Sequence, residues 1–160
     1  MANYEAPLLL TAVSTAYKTT GVLQAAGRRA QVYEVEFGQS NTPVSTDQQC
    51  LWDLSRFSNT NSVTATTVAA NLLDQADITA TTLFFNNVSG TADVPNYTTV
   101  GLGLNLKYWA INQRGSYRWR ALDDGDNLIV ASGASQGIGV RTLSAGYNTS
   151  AVGNISFIER

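Results

Sequence analysis

The sequence predicts an all-β fold: a jelly-roll-like antiparallel β-sandwich preceded by an extended N-terminal arm. Three observations carry the prediction. About eight to ten short runs with strand periodicity follow one another at close spacing, separated by Gly, Asn, Asp and Ser/Thr clusters that read as turns. Only Val68 to Ile78 (VAANLLDQADI) distributes its apolar residues as a helix would, and it reads as one or two turns. The chain has 160 residues. At that size one domain buries roughly 70% of its unfolded surface without covalent staples, and a double-sheet jelly roll suits the length.

Residues 1–28 differ from the rest. A Leu8-Leu9-Leu10 run is followed by a Thr/Ala/Val mixture closed by Gly21 and Gly27. Alternation there is loose and no helix cap appears, so the segment reads as a strand plus an arm outside a sandwich domain spanning 29–160. Arms of this kind pack on a neighbour or along the domain edge, which makes Tyr4, Leu8, Leu9, Leu10 and Tyr17 candidate protein contacts.

Gln31 to Gly38 (QVYEVEFG) is the clearest strand: Tyr33, Val35 and Phe37 face one side, and Val32, Glu34 and Glu36 the other, the period-2 signature of a half-buried antiparallel strand. Gln49 to Phe57 (QCLWDLSRF) fits a strand through Cys50, Trp52 and Leu54 and a helical stripe through Cys50, Leu51, Leu54 and Phe57. Short length and turn-rich flanks favour the strand. Ser58 to Thr67 reads as a turn and an edge strand, and Leu83 to Phe85 and Tyr97 to Leu104 read as further strands.

The strongest local signal is a hairpin, with Leu106 to Asn112 (LKYWAIN) and Ser116 to Leu122 (SYRWRAL) joined by a turn at Gln113 to Gly115. Alternation sets Tyr117, Trp119 and Ala121 opposite Arg118, Arg120 and Leu122. Arg114, Arg118 and Arg120 form a candidate contact patch, since arginine favours interfaces; the competing reading is a solvated sheet face with cross-strand pairs. Asp123 to Asn127 (DDGDN) is the next turn, followed by strands at Leu128 to Ser132, Gly139 to Leu143 and Asn154 to Glu159.

Composition excludes several functions. Charged residues make up 14% of the chain, against about 25% in an ordinary soluble protein, and Thr, Ser, Asn, Ala and Gly fill the difference. The net charge is −2 and the 10 basic residues form no run, which argues against nucleic acid as a partner. A single cysteine, Cys50, forms no intrachain disulfide, and the absence of histidine removes Ser-His-Asp and Cys-His catalysis. No targeting segment is visible, and no run approaches the roughly 18 apolar residues of a membrane span.

Four patterns invite chemistry. Val130 to Arg141 (VASGASQGIGVR) resembles the glycine motif of short-chain dehydrogenases, in which a strand, a glycine turn and a helix N-terminus receive a pyrophosphate. The continuation has no apolar 3.6 period and carries Gly146 and Gly153, so no helix starts at Gly139 and a glycine-rich turn between strands is the better reading. Asp123, Asp124 and Asp126 lack the glycine and glutamate of a calcium loop and read as a turn. Glu34 and Glu36 lie roughly 7 Å apart on one strand face, a conceivable glycosidase pair, but such pairs usually line a solvated face. Trp52, Trp109, Trp119 and Tyr108 would suit a sugar platform; on alternating strands they read as core. No catalytic set, cofactor or metal site emerges. The expected work is binding, with no enzyme activity.

Ile111-Asn-Gln-Arg-Gly-Ser-Tyr-Arg-Trp119, Asp126 to Val130, Gln136 to Arg141 and Ile155 to Glu159, with Tyr33 to Gly38, Trp52 to Phe57 and Leu73 to Asp77 upstream, resemble the jelly-roll decoration, or cement, proteins of tailed-bacteriophage capsids. The resemblance covers about Gln31 to Glu159. It implies a structural protein of the virion, made in the host cytoplasm and placed on the capsid surface. A homotrimer would bind the major capsid protein and staple neighbouring shell subunits, multiplying weak contacts by avidity. A carbohydrate- or receptor-binding module of a phage fibre or spike is the alternative.

Overall fold

The computed structural model describes residues 2–13, 18–25, 27–40, 42–58, 66–86, 105–132, 136–144 and 149–160. Two antiparallel sheets pack face to face as a sandwich. The first contains β1 (Ala2–Val13), β3 (Ala30–Gln39), β6 (Asn71–Leu72), β9 (Ser116–Arg120), β10 (Leu128–Val130) and β12 (Thr149–Glu159). The second contains β2 (Lys18–Gln24), β4 (Gln49–Ser58), β5 (Thr66–Val68), β7 (Leu83–Asn86), β8 (Asn105–Asn112) and β11 (Gln136–Ser144). The first sheet runs β10-β3-β12-β1-β6 with β9 also on β3; the second runs β5-β7-β2-β11-β4-β8. Strands β1 to β4 therefore alternate between the layers along the chain, β8 returns beside β4 in the second, and first-to-last pairing (β1 on β12) ties the two ends of the fold together.

Register shows how alternation builds the core. In the first sheet the rows Ala6–Ile155–Val35–Trp119 and Leu8–Gly153–Phe37–Tyr117 point inward. In the second, Cys50, Trp52, Leu54, Ile138 and Val140 face them. Phe37 stacks on Trp52 at 4.5 Å between ring centres and meets Trp109 at 5.1 Å, so the aromatic contacts join the two layers. Gly153 is required where it stands, because a Cβ there would collide with the Glu36 carbonyl and lie 2.8 Å from the Phe37 Cα.

The N-terminal segment differs from the expected arm. Both of its strands are interior to their sheets, β1 between β12 and β6 and β2 between β11 and β7. β1 buries one side, with Tyr4, Ala6 and Leu8 in the core, whereas β2 is buried on both, with Leu23 in the core and Val22 buried on the opposite side of the strand. The division at residue 28 is therefore no boundary between packed units.

The expected hairpin is an arch. β8 pairs with β4 in one sheet and β9 with β3 in the other, while the turn closes with the Gly115 amide donating to the Asn112 carbonyl at 2.9 Å. The aromatic side chains that imitate a hairpin meet across the layers instead: Trp109 and Tyr117 are 5.6 Å apart and Lys107 sits 5.7 Å from the Trp119 ring.

Three further elements depart from expectation. A register shift between Ser156 and Phe157 of β12 bulges β3 at Tyr33, so Val32 joins Val35 and Phe37 in the core and Tyr33 does not. The helical candidate at 68–78 is short strand and turn, because its backbone is engaged elsewhere: the Leu73 amide donates to the Asn3 carbonyl and the Tyr4 hydroxyl to the Ile78 carbonyl. The strand expected from Gly139 starts earlier, at Gln136, so Gly137 and Gly139 are paired strand residues between β2 and β4 with a strand, not a helix, continuing from them. The strand expected at Tyr97 to Leu104 lies outside the described residues.

Candidate functional site

Alternation and cross-strand register place one polar face outward on the first sheet. Its rows are Glu5–Ser156–Glu34–Arg120, Pro7–Asn154–Glu36–Arg118 and Leu9–Val152–Gly38–Ser116. Side chains directly opposite in neighbouring strands share a face, so these three rows form a continuous exterior surface across four strands. Arg118 Nη2 donates to Glu34 at 2.8 Å and Arg120 Nε lies 3.7 Å from the same carboxylate. This hydrogen bond and the charge of Glu34 raise the Arg118 pKa from its ordinary value. The two glutamates share a face as the alternation requires, and Glu34 is engaged by arginines.

At the β1–β12 end of that face a groove of about 700 Å³ opens over Pro7, Leu9, Val152 and Gly38, with Glu36 and Arg114 among its polar lining. Arg114 projects from the arch turn, where its guanidinium meets Asp47 at 3.1 Å and the Val44 carbonyl at 3.3 Å. Next to it, the buried Gln113 amide accepts from the Val44 amide and donates to the carbonyls of Val44 and Thr46. The rim of the groove is therefore fixed by side chains that satisfy loop backbone.

Of the contact residues nominated from sequence, Leu9, Arg114, Arg118 and Arg120 converge on this face. Tyr4 and Leu8 do not: they are buried at 0% and 2% exposure, Tyr4 stacking on Phe157 at 5.3 Å. Every second residue of β1 points inward, so only Leu9 of the Leu8-Leu9 pair reaches the outside. Burial, with the charges of Glu159 and Asp77, raises the Tyr4 phenol above its ordinary value. The Leu10 side chain and Tyr17 lie outside the described residues. Val152 and Gln113 escaped the sequence reading, since neither carries a chemical motif; only the register of β12 and the loop contacts reveal them.

A second, smaller pocket of about 410 Å³ lies at the other end of the same face, between Asn3, Tyr33, Leu73 and the turn after β9. Asp123 caps a 3-10 turn at Asp124–Asp126, accepting from the Gly125 amide at 2.7 Å and the Asp126 amide at 3.3 Å. The three aspartates thus serve a turn, and among the described residues no group of three or more His, Cys, Asp or Glu is placed to hold a metal ion.

The aromatic residues weighed as a sugar platform and read as core fall on different sides. Trp52 is buried at 1% exposure, Trp109 packs on Phe37 and Tyr117, and Tyr108 is exposed on the other side of β8. Among the described residues no helix is long and apolar enough to cross a membrane. Compared with known proteins, the chain matches no family model, no curated protein and no solved structure.

Proposed function

We propose that this chain is a structural virion protein that decorates and cements the outside of a bacteriophage head, without catalysis or a cofactor. The observation that carries the reading is the convergence of Leu9, Arg114, Arg118 and Arg120 on one exposed sheet face with an apolar-floored groove. Such a face meets a repetitive protein shell through buried apolar area at the groove and hydrogen bonds at a polar rim. The strand order β1-β12-β3-β9 opposite β2-β11-β4-β8 is an observation in favour of a jelly-roll reading of the sandwich, the fold expected of such proteins. On this reading the occupant of the groove is the major capsid protein. A homotrimer brings three such faces to the shell at once, and avidity replaces high single-site affinity.

Electron microscopy of heads assembled with and without the protein tests this directly. Heads lacking it are expected to lose surface protrusions and to break at lower temperature. Leu9→Asp is expected to leave the fold intact and abolish attachment, because it places a charge on the groove floor. Heads with the same surface and stability in both preparations would overturn the proposal, and a monomer in sedimentation and on the shell would remove its trimer component.

A further inference from the structure

The arch leaves β9 with a single neighbour. Its five residues pair with β3 along one edge, and among the described residues no strand pairs with the other. Register tells which groups that open edge offers. The Ala121 amide donates to the Tyr33 carbonyl at 2.8 Å, and in an antiparallel ladder the residues that bond to a given neighbour alternate. Trp119 and Tyr117 therefore turn their N–H and C=O toward β3, and Ser116, Arg118 and Arg120 turn theirs away from it. The outer strands on the opposite side of the sandwich, β6 and β5, are cut to two and three residues, one way of blunting an edge. β9 is longer, and four of its five residues are exposed.

The side chains indicate what fits there. Arg118 and Arg120 lie two residues apart on the exterior face, with side chains 55% and 66% exposed. Glu34 takes one hydrogen bond from Arg118 and lies 3.7 Å from Arg120. A guanidinium has five N–H donors, so most of theirs remain for a second carboxylate. On the core side, Trp119 stands beside a Tyr117 that is 40% exposed.

The occupied edge already holds one solution. There Glu34-Val35-Glu36 runs opposite Arg120-Trp119-Arg118: each glutamate faces an arginine outside, and the valine lies opposite the tryptophan on the core side. A strand of the same alternation, added at the open edge, brings two more carboxylates to these guanidiniums and an apolar side chain over Tyr117 and Trp119. A second copy of β9 does not fit, because antiparallel registers centred on the strand set Arg118 against Arg118 or Arg120, and like charges directly opposite repel.

We infer that the open edge of β9 takes an extended acidic–apolar–acidic segment of a partner protein as an added strand, held by the main chain of Arg118 and Arg120 and selected by their guanidiniums. Main-chain bonds supply the attachment and alternate side chains the choice, as in other strand-addition complexes. The inference rests on reading this face as a protein-docking surface, but it needs neither the groove nor a capsid as partner.

The test is NMR titration of the full, isotope-labelled chain with a capped Thr-Val-Glu-Val-Glu-Val-Thr peptide at millimolar concentrations. The amides of Arg118 and Arg120 are expected to shift and to gain protection from exchange. A probe with lysine in place of both glutamates is expected not to bind. N-methylation of the glutamate amides is expected to abolish binding, since those N–H groups face β9 in the added strand. Arg118→Gln combined with Arg120→Gln is expected to weaken binding about fivefold, the worth of two exposed ion pairs, and Leu9→Asp to leave it unchanged. No shift on β9 overturns the inference. So do equal binding of the lysine probe, binding that survives N-methylation, and loss of binding in Leu9→Asp with retention in the arginine double variant. Decorated heads without peptide binding would remove the added strand alone, and peptide binding with undecorated heads the capsid reading alone.

Discussion

The two sheets each carry an arginine–carboxylate arrangement on the side turned away from the core, and the two could hardly differ more in setting. On the first sheet Arg118 and Arg120, with side chains 55% and 66% exposed, reach from solvent to a Glu34 side chain that is 14% exposed. On the second, Arg141 and Asp53 face each other directly across β11 and β4, with contacts at 2.9, 3.1 and 2.6 Å, and their side chains are 10% and 1% exposed. Ser55 adds a hydrogen bond to Asp53 at 3.0 Å, and Val22 and Ser55 are buried alongside. Val22 is buried yet separate from the core cluster that holds Trp52 and Leu54. Outward orientation in a sandwich is therefore not exposure. On the second sheet the patch around Asp53 and Arg141 is a local interior beside an exposed Tyr108, and its charges survive because they are paired and hydrogen-bonded.

Several substitutions would break or sharpen that contrast. Arg141→Met leaves a buried carboxylate unpaired and is expected to cost about 3–5 kcal/mol in chemical denaturation. The double variant Asp53→Leu, Arg141→Met is expected to regain much of that loss, since no charge is stranded. A single variant that costs nothing would mean the pair is hydrated and the two faces are alike.

Gln113→Ala, at the arch that carries the chain from one sheet to the other, strands the Val44 amide and the carbonyls of Val44 and Thr46. An expected loss of about 1–3 kcal/mol follows, with faster amide exchange at residues 44–46 as its marker.

Tyr4→Phe, in the interior between the faces, is expected to cost about 1 kcal/mol by removing the hydroxyl donated to the Ile78 carbonyl. It also changes the alkaline limb. A phenol whose pKa is raised by folding contributes its stability in full below the ordinary value of 10.0 and loses it as pH rises through the folded value. Denaturation midpoints of the parent should therefore fall more steeply above that pH than those of Tyr4→Phe.

Arg118→Ala gives the smallest effect. Exposed ion pairs contribute little and are screened by salt, so the melting temperature is expected to stay within error of the parent. A drop comparable to that of Arg141→Met would show that the first face is covered too.

Much of the fold was legible because alternation and turn chemistry are local. QVYEVEFG and QCLWDLSRF announce β3 and β4, and the Gln113 to Gly115 turn is where the pattern puts it. The arginines of β9 fall on one outward face for the same reason, their spacing of two residues matching the pleat. The Tyr33 bulge was not legible, because it depends on how β12 slips past β3, and a one-residue slip exchanges the faces of everything beyond it.

By itself, the order of residues determined that the chain makes short strands, which side chains within each strand share a side, and where the chain turns. The tertiary structure alone decided which strands are neighbours, that LKYWAIN and SYRWRAL belong to opposite layers, that β1 and β2 are interior strands, and where an outward side is buried. The physical reason is that a strand satisfies half of its backbone hydrogen bonds on each edge with partners remote in sequence. Periodicity specifies the faces of a strand, while edge partners and covering layers are chosen only when the whole sandwich closes.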